Sequence, residues 1–256
     1  NQVLLLVGDK RSKKVADEHH PFGYGRRRYV YGFIVAIVLF LVGGLFSLYE
    51  GIHKWQHPEP LNDWWIAVLV LGIAIVLESF SFRTAIREAN HARGRRSIFG
   101  FVKASRQPEL PVILLEDAGA LVGLVFALCG VSLAVITGDG RFDAMGAIAV
   151  GTLLVVIAIF LAMEMTAMLV GEGALPEEVE AIRAALESSD GVARVIHLRT
   201  LHVGPDELLV AAKIAIRHGE TGEQIARDID SAEAALRTAV PTARYVFLEP
   251  DLDRTS

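Results

Sequence analysis

The chain has a single cysteine, Cys129. That rules out an intramolecular disulfide framework and any metal centre built on thiolates, and it leaves Cys129 as a small packing residue by default. There is no nucleophile–base set and no glycine loop able to cradle phosphate, so an enzymatic reading has nothing to build on. Above all, charge is missing over long distances. Tyr29 to Tyr49 and Ala118 to Gly138 are each 21 residues without a charged side chain, and Ala144 to Met163 is 20. Trp64 to Phe82 is 19 residues with one acid, Glu78. With 52% hydrophobic residues and a mean hydropathy of +0.41, this is not the composition of a soluble domain.

A hydrocarbon core takes about 20 apolar residues per helix, so the four runs read as four complete membrane spans. The opening "NQVLLLVG" is too short to span and reads as the end of a helix that starts upstream. Lys and Arg fall unevenly between the spans. Residues 9–28 and 83–106 hold seven each, while 50–63 and 137–143 hold one each. The positive-inside rule then places the first and third connections in the cytoplasm. His53 and His57 fall at the opposite surface and read as interfacial residues, with Trp55, Trp64 and Trp65 as anchors.

Composition changes at "GEGALP". Residues 172–256 carry 16 acids against nine Lys and Arg, a net of −7, whereas residues 1–171 carry a net of +2. The boundary divides a transmembrane domain, 1–171, from a cytoplasmic C-terminal domain, 172–256. "PEEVEAIRAALESSDG" opens with proline and acids and closes on glycine, as a helix does. "ARVIHLRTLHVG" and "ELLVAAKIAIRH" flank a turn at "GPDE" and read as a hairpin. "TGEQIARDIDSAEAALRTAV" is amphipathic, and "ARYVFLEP" is a third strand. The order α-β-β-α-β predicts a small ferredoxin-like α+β domain with helices on one face of a three-stranded sheet.

Two adjacent acids, Glu116 and Asp117, stand at the start of the third run. Glu116 lies on the order of 12–13 Å along the helix from Pro108, and Glu78 about 7 Å from Arg83. Acids at that depth are costly, and so mark function. Carboxylates bind hard or borderline divalent cations and release them on protonation, which is the chemistry of a cation–proton exchanger. Taking about 100° per residue, Glu116 shares a face with Ala120, Gly123, Ala127 and Gly130, where a neighbouring helix can approach closely, and Asp117 lies about 100° away. On that geometry Glu116 is the inward acid. In the first connection, Asp17, His19 and His20 have spacings that could hold a metal, although a solvated loop explains them as well.

Several segments together resemble the cation diffusion facilitators. "HPFGYGRRRY" resembles the loop between the family's second and third spans, "LPEEV" the opening of its C-terminal domain, and "HLRT" the first strand of that domain. "LESFSFRTAIRE" and "LLED" are similar to the branch that includes zinc transporter nine of animals. The resemblance covers essentially the whole chain. It implies six spans, with the first and most of the second preceding Asn1. It also implies a homodimer in the lipid bilayer, no resident cofactor, no nucleic-acid partner, and proton-coupled efflux of a divalent cation: zinc first, then manganese, iron or cobalt. The setting it implies is a bacterial inner or plasma membrane.

The resemblance favours Asp117 over Glu116 as a ligand. The family's usual partner four residues earlier is here Ile113, which gives Glu116 and Glu78 more weight; further ligands are expected upstream of Asn1. Of the family's loop site, Asp17 and His20 match, while Tyr24 replaces the last histidine. A basic residue after the "GYG" turn and an acid before "LP" can lock the dimer; here they are Arg26 and Glu172. The tail lacks most of the family's metal ligands and is expected to dimerise with little or no metal. A non-transporting scaffold or metal sensor of the same fold is the alternative, and metal flux separates the two.

Overall fold

The computed structural model describes residues 2–58, 63–94, 96–217 and 220–252. The chain divides into two compact units: Asn1–Asp9 with Tyr29–Thr166, and Lys10–Arg28 with Ala167–Ser256. The charge-poor runs form four helices long and apolar enough to cross a membrane, so this is a multi-pass integral membrane protein with an α+β domain.

Helix α1 (Gln2–Ser12) precedes the first span. That span is continuous from Arg27 to Gln56 but changes pitch, as α2 (Arg27–Val35), a π-helical turn (Ala36–Leu41) and α3 (Val42–Gln56). Hydrogen bonding from i to i+5 brings Val35 and Phe40 round to one side. Both are buried there with Val112, Ile157 and Leu161. The second span is α4 (Trp64–Ala92). It continues ten residues past the expected Phe82 end, because "RTAIREANHA" keeps helical propensity once its face turns polar. A short helix not legible in the sequence, α5 (Ile98–Ala104), follows, with Ser97 capping it by accepting from the Gly100 amide at 3.0 Å. Its Phe101 and Val102 are buried with Ala85 and Ala89 of α4 and with Leu114 of the next span.

The third and fourth spans are α6 (Glu109–Thr137) and α7 (Arg141–Val170). Two close approaches set the packing on α7. A Cβ placed on Gly130 of α6 would lie 2.9 Å from the Phe142 carbonyl oxygen of α7. One on Gly151 of α7 would lie 2.7 Å from the Leu48 amide of α3 and 2.8 Å from the Gly44 carbonyl. In a bilayer, where apolar faces gain nothing over lipid, such small-residue seams are what let helices associate. Cys129, expected to be a small packing residue, lies exposed on α6.

In the second unit, α8 (Pro176–Glu187) begins with Pro176, and Glu178 reaches back to accept from the Leu175 amide at 2.8 Å. Strand β1 (Val192–Gly204) pairs antiparallel with β2 (Glu207–Ile216), and β2 pairs in parallel with β3 (Ala243–Leu252), giving the order β1-β2-β3. Helix α9 (Gly222–Ala239) starts on a capping box between Thr221 and Gln224. Ile182, Leu186, Ala232 and Leu236 of the two helices pack with Val195, Val210 and Ile214 of the sheet, so both helices cover one face. This is the expected ferredoxin-like α-β-β-α-β domain.

The glycine seams carry a prediction. Gly151→Val forces branched carbons into backbone and should lower the stability of the solubilised protein by roughly 1–3 kcal/mol. Gly72 has open space around it, so Gly72→Ala should hold or raise stability. Thermal unfolding of the two variants in the same detergent checks both.

Candidate metal-transport site

The site begins with a stripe on α4. Glu78, Ser81, Ala85 and Ala89 recur every three or four residues, so they share one face of the helix. Ala85 and Ala89 are buried with Leu114 of α6, which turns that face toward α6. Three residues beyond Leu114 is Asp117. Ser81 Oγ donates to Asp117 Oδ2 at 2.8 Å, and Glu78 lies within electrostatic range of both Asp117 and Glu116. Two spans therefore bring Glu78, Ser81 and Asp117 together at one level.

Glu116 sits about 100° round α6 from Asp117. On its side of the helix Val112 is buried with Val35, Phe40 and Leu161, and a Cβ on Gly119 would meet Ile157 of α7 at 2.6 Å. The small-residue stripe that singled out Glu116 is thus the seam on which α7 packs, while Asp117 is the acid turned to α4. Glu78, Glu116 and Asp117 are all partly buried. Among the described residues, no three His, Cys, Asp or Glu side chains converge on one point in the manner of a metal cage. The two helices offer part of an oxygen-rich shell: carboxylates from both, and a hydroxyl that orients one of them. Ser81 escaped the reading of the sequence. Its signal was its place three residues after the only acid in its run.

The first connection behaves differently. Asp17 and His20 do come together, in a tight turn. The His20 amide donates to Asp17 Oδ1 at 2.9 Å, and His20 Nδ1 lies 3.5 Å from the same oxygen. Asp17 Oδ2 accepts from the Tyr24 hydroxyl at 2.6 Å and from Lys14 Nζ at 3.0 Å. Tyr24, at the position where the family's last histidine stands, is held between Lys14 and Arg27, whose charges lie 4.7 and 4.2 Å from its ring centre. His20 stacks on it at 4.2 Å. Asp17 here is the hub of a hydrogen-bonded turn.

Arg26 and Glu172 meet at one strand residue. Arg26 Nη2 donates to the His202 carbonyl at 3.4 Å, and the His202 amide donates to the Glu172 carbonyl at 2.8 Å. His202 is buried, while His197 of the same strand is exposed.

Against known proteins, the model of the cation efflux transmembrane domain matches residues 1–170. The chain belongs to the cation efflux family. A proton-coupled zinc antiporter, mitochondrial SLC30A9 of Xenopus laevis, is 32% identical over 217 residues, covering 84% of this chain and 39% of that protein. The human counterpart is 31% identical, which agrees with the zinc transporter nine-like branch. The manganese efflux system protein MneP of Bacillus subtilis is 26% identical over 237 residues, covering 89% of this chain and 73% of that protein. The chain spans about two fifths of the length of the SLC30A9 relatives. Among solved structures, the nickel form of a MamM CTD variant is 22% identical, covers 31% of this chain and all of that one, and has a TM-score of 0.30.

Two predictions follow from the geometry. Hydrogen bonding from Tyr24, then Lys14, holds the Asp17 carboxyl well below the usual carboxylate range. A lowered acid contributes stability that is complete above its unfolded value, near pH 4, and is lost as pH falls through the folded one. Asp17→Asn should therefore be less stable than the unmutated protein at pH 6, with the gap narrowing as pH drops below about 4 in thermal unfolding. Ser81→Ala removes the hydroxyl that donates to Asp117 without adding bulk. Losing such an orienting partner costs roughly 10–100-fold in metal affinity or activity, so its metal flux should fall by at least about tenfold at unchanged expression.

Proposed function

We propose that this chain is the transporting part of a proton-coupled exporter of divalent cations, with zinc as the first candidate. What carries the reading is the pairing of acids from α4 and α6 inside membrane-spanning helices, within a chain of the cation efflux family. Ionised carboxylates strip and hold a divalent ion; protonation weakens them as ligands and lets it go. Proton binding and metal binding then exclude one another at the same oxygens, and that exclusion is what exchange requires. Asp117 is the direct ligand and Ser81 orients it. Glu78 completes the acidic group from α4, and Glu116 contributes from the flank of α6. The names of the SLC30A9 relatives support zinc and proton coupling, and that of MneP keeps manganese in view. The protein works as a homodimer with its α+β domain in the cytoplasm, and Arg26 and Glu172 belong to the contact that steadies the dimer.

The test is metal flux into proteoliposomes under an imposed pH gradient, with the intact protein. Asp117→Ala should lose flux by more than about tenfold, and Glu116→Ala should lose it in part. Glu78→Gln should insert and fold at least as well as the unmutated protein, because an acid in lipid is costly, yet lose flux or its dependence on pH between 6 and 8. If all three variants transport like the unmutated protein, the site is elsewhere. If the unmutated protein binds metal but moves none, the chain is a scaffold or sensor.

A further inference from the structure

At the other end of the spans from the basic connections, α3 closes with "YEGIHKWQHP". His53 and His57 are four residues apart. The His57 amide donates to the His53 carbonyl at 2.9 Å and so completes the last turn of the helix, with His57 as its cap, and the two imidazoles lie side by side. Their ring centres are 5.1 Å apart with planes tilted by 32°, and both residues are exposed. Tyr49, one turn earlier, continues the column at 6.4 Å from His53.

That separation has a chemical meaning. With a metal–nitrogen bond of about 2.0–2.1 Å and roughly 1.1 Å from nitrogen to ring centre, two imidazoles sharing a tetrahedral ion have centres about 5 Å apart. A pair of histidines at i and i+4 on a helix is the arrangement with which a helix chelates zinc. The charge around the pair favours a cation. Lys54 is shared by Glu50 at 3.3 Å and Asp143 of α7 at 3.2 Å, so the local balance is one net negative charge. Arg141 lies over the Trp55 ring, 5.8 Å from its centre. The two connections on this side carry five acids, Glu50, Glu59, Asp63, Asp139 and Asp143, against Lys54 and Arg141.

We propose that His53 and His57 form a surface chelate for an imidazole-preferring divalent metal ion (zinc, copper or nickel) at the membrane face opposite the basic connections. Water completes the coordination. Imidazole ligands favour these metals over manganese and magnesium. The site differs in chemistry from the carboxylate group between α4 and α6 and stands whether or not the chain transports.

Copper(II), the strongest binder of nitrogen ligands among the divalent first-row ions, serves as the probe. One equivalent added to the detergent-solubilised protein should give an electron paramagnetic resonance spectrum with two imidazole nitrogens, and a large excess of zinc should displace it. His53→Ala and His57→Ala should each lose the two-nitrogen pattern and bind at least tenfold more weakly. His53→Gln and His57→Gln, which keep a polar side chain of similar reach, should lose it equally. A variant combining His57→Ala with Pro58→His keeps two histidines but at a spacing that splits them between faces, and should behave like His57→Ala. The proposal is overturned if the two-nitrogen pattern survives in both single variants, if the displaced histidine restores it, or if the unmutated protein gives no such pattern.

Discussion

The hydrogen bond from Ser81 to Asp117 is the contact around which the membrane part is arranged. A carboxylate inside a bilayer must find donors or cations, since lipid supplies neither. Asp117 finds a hydroxyl on a neighbouring span, and that ties α6 to α4 at the level where Glu78 also stands. The rest of the arrangement serves that meeting. Ala85, Ala89 and Leu114 bring the two helices together one and two turns away, and α5 wedges Phe101 and Val102 against the same place. On the far side of α6, Gly130 lets α7 close to backbone contact, so α6 is held from both sides and Asp117 has little freedom to turn away from α4.

The two faces of α6 differ. The glycine seam faces α7 and packs closely, with Glu116 on that side of the helix. The acidic face looks to α4, whose apolar side chains, from Trp64 through Leu69, Ile73 and Val76 to Phe80, are exposed and unlike a packed core.

The two connections with histidines show how one residue type takes different roles. In the first, His20 stacks on Tyr24 and its amide serves an Asp17 whose oxygens are already occupied, so the segment is spent on holding its own turn. At the end of α3, the helix itself spaces His53 and His57 and leaves their rings exposed and adjacent. Spacing along the chain did not distinguish these cases. The occupancy of the neighbouring oxygen did, and only folding sets it.

Much of the fold was legible from period and charge. Runs without charge can only be buried or in lipid, so the four spans were visible. The α+β domain was visible because its strands alternate and its helices carry their own caps at Pro176 and Thr221. The sequence alone also placed Glu78, Glu116 and Asp117 inside spans, since helical rise converts position into depth. Which acid faces which helix was decided only in three dimensions. A small-residue stripe marks a close neighbour but does not say which one, and the neighbour proved to be α7. The π-helical turn at Ala36–Leu41, helix α5, the role of Ser81 and the closed turn around Asp17 were likewise settled by tertiary contacts. Each depends on an atom from a distant stretch of chain arriving within hydrogen-bonding or packing distance, and no local pattern encodes that arrival.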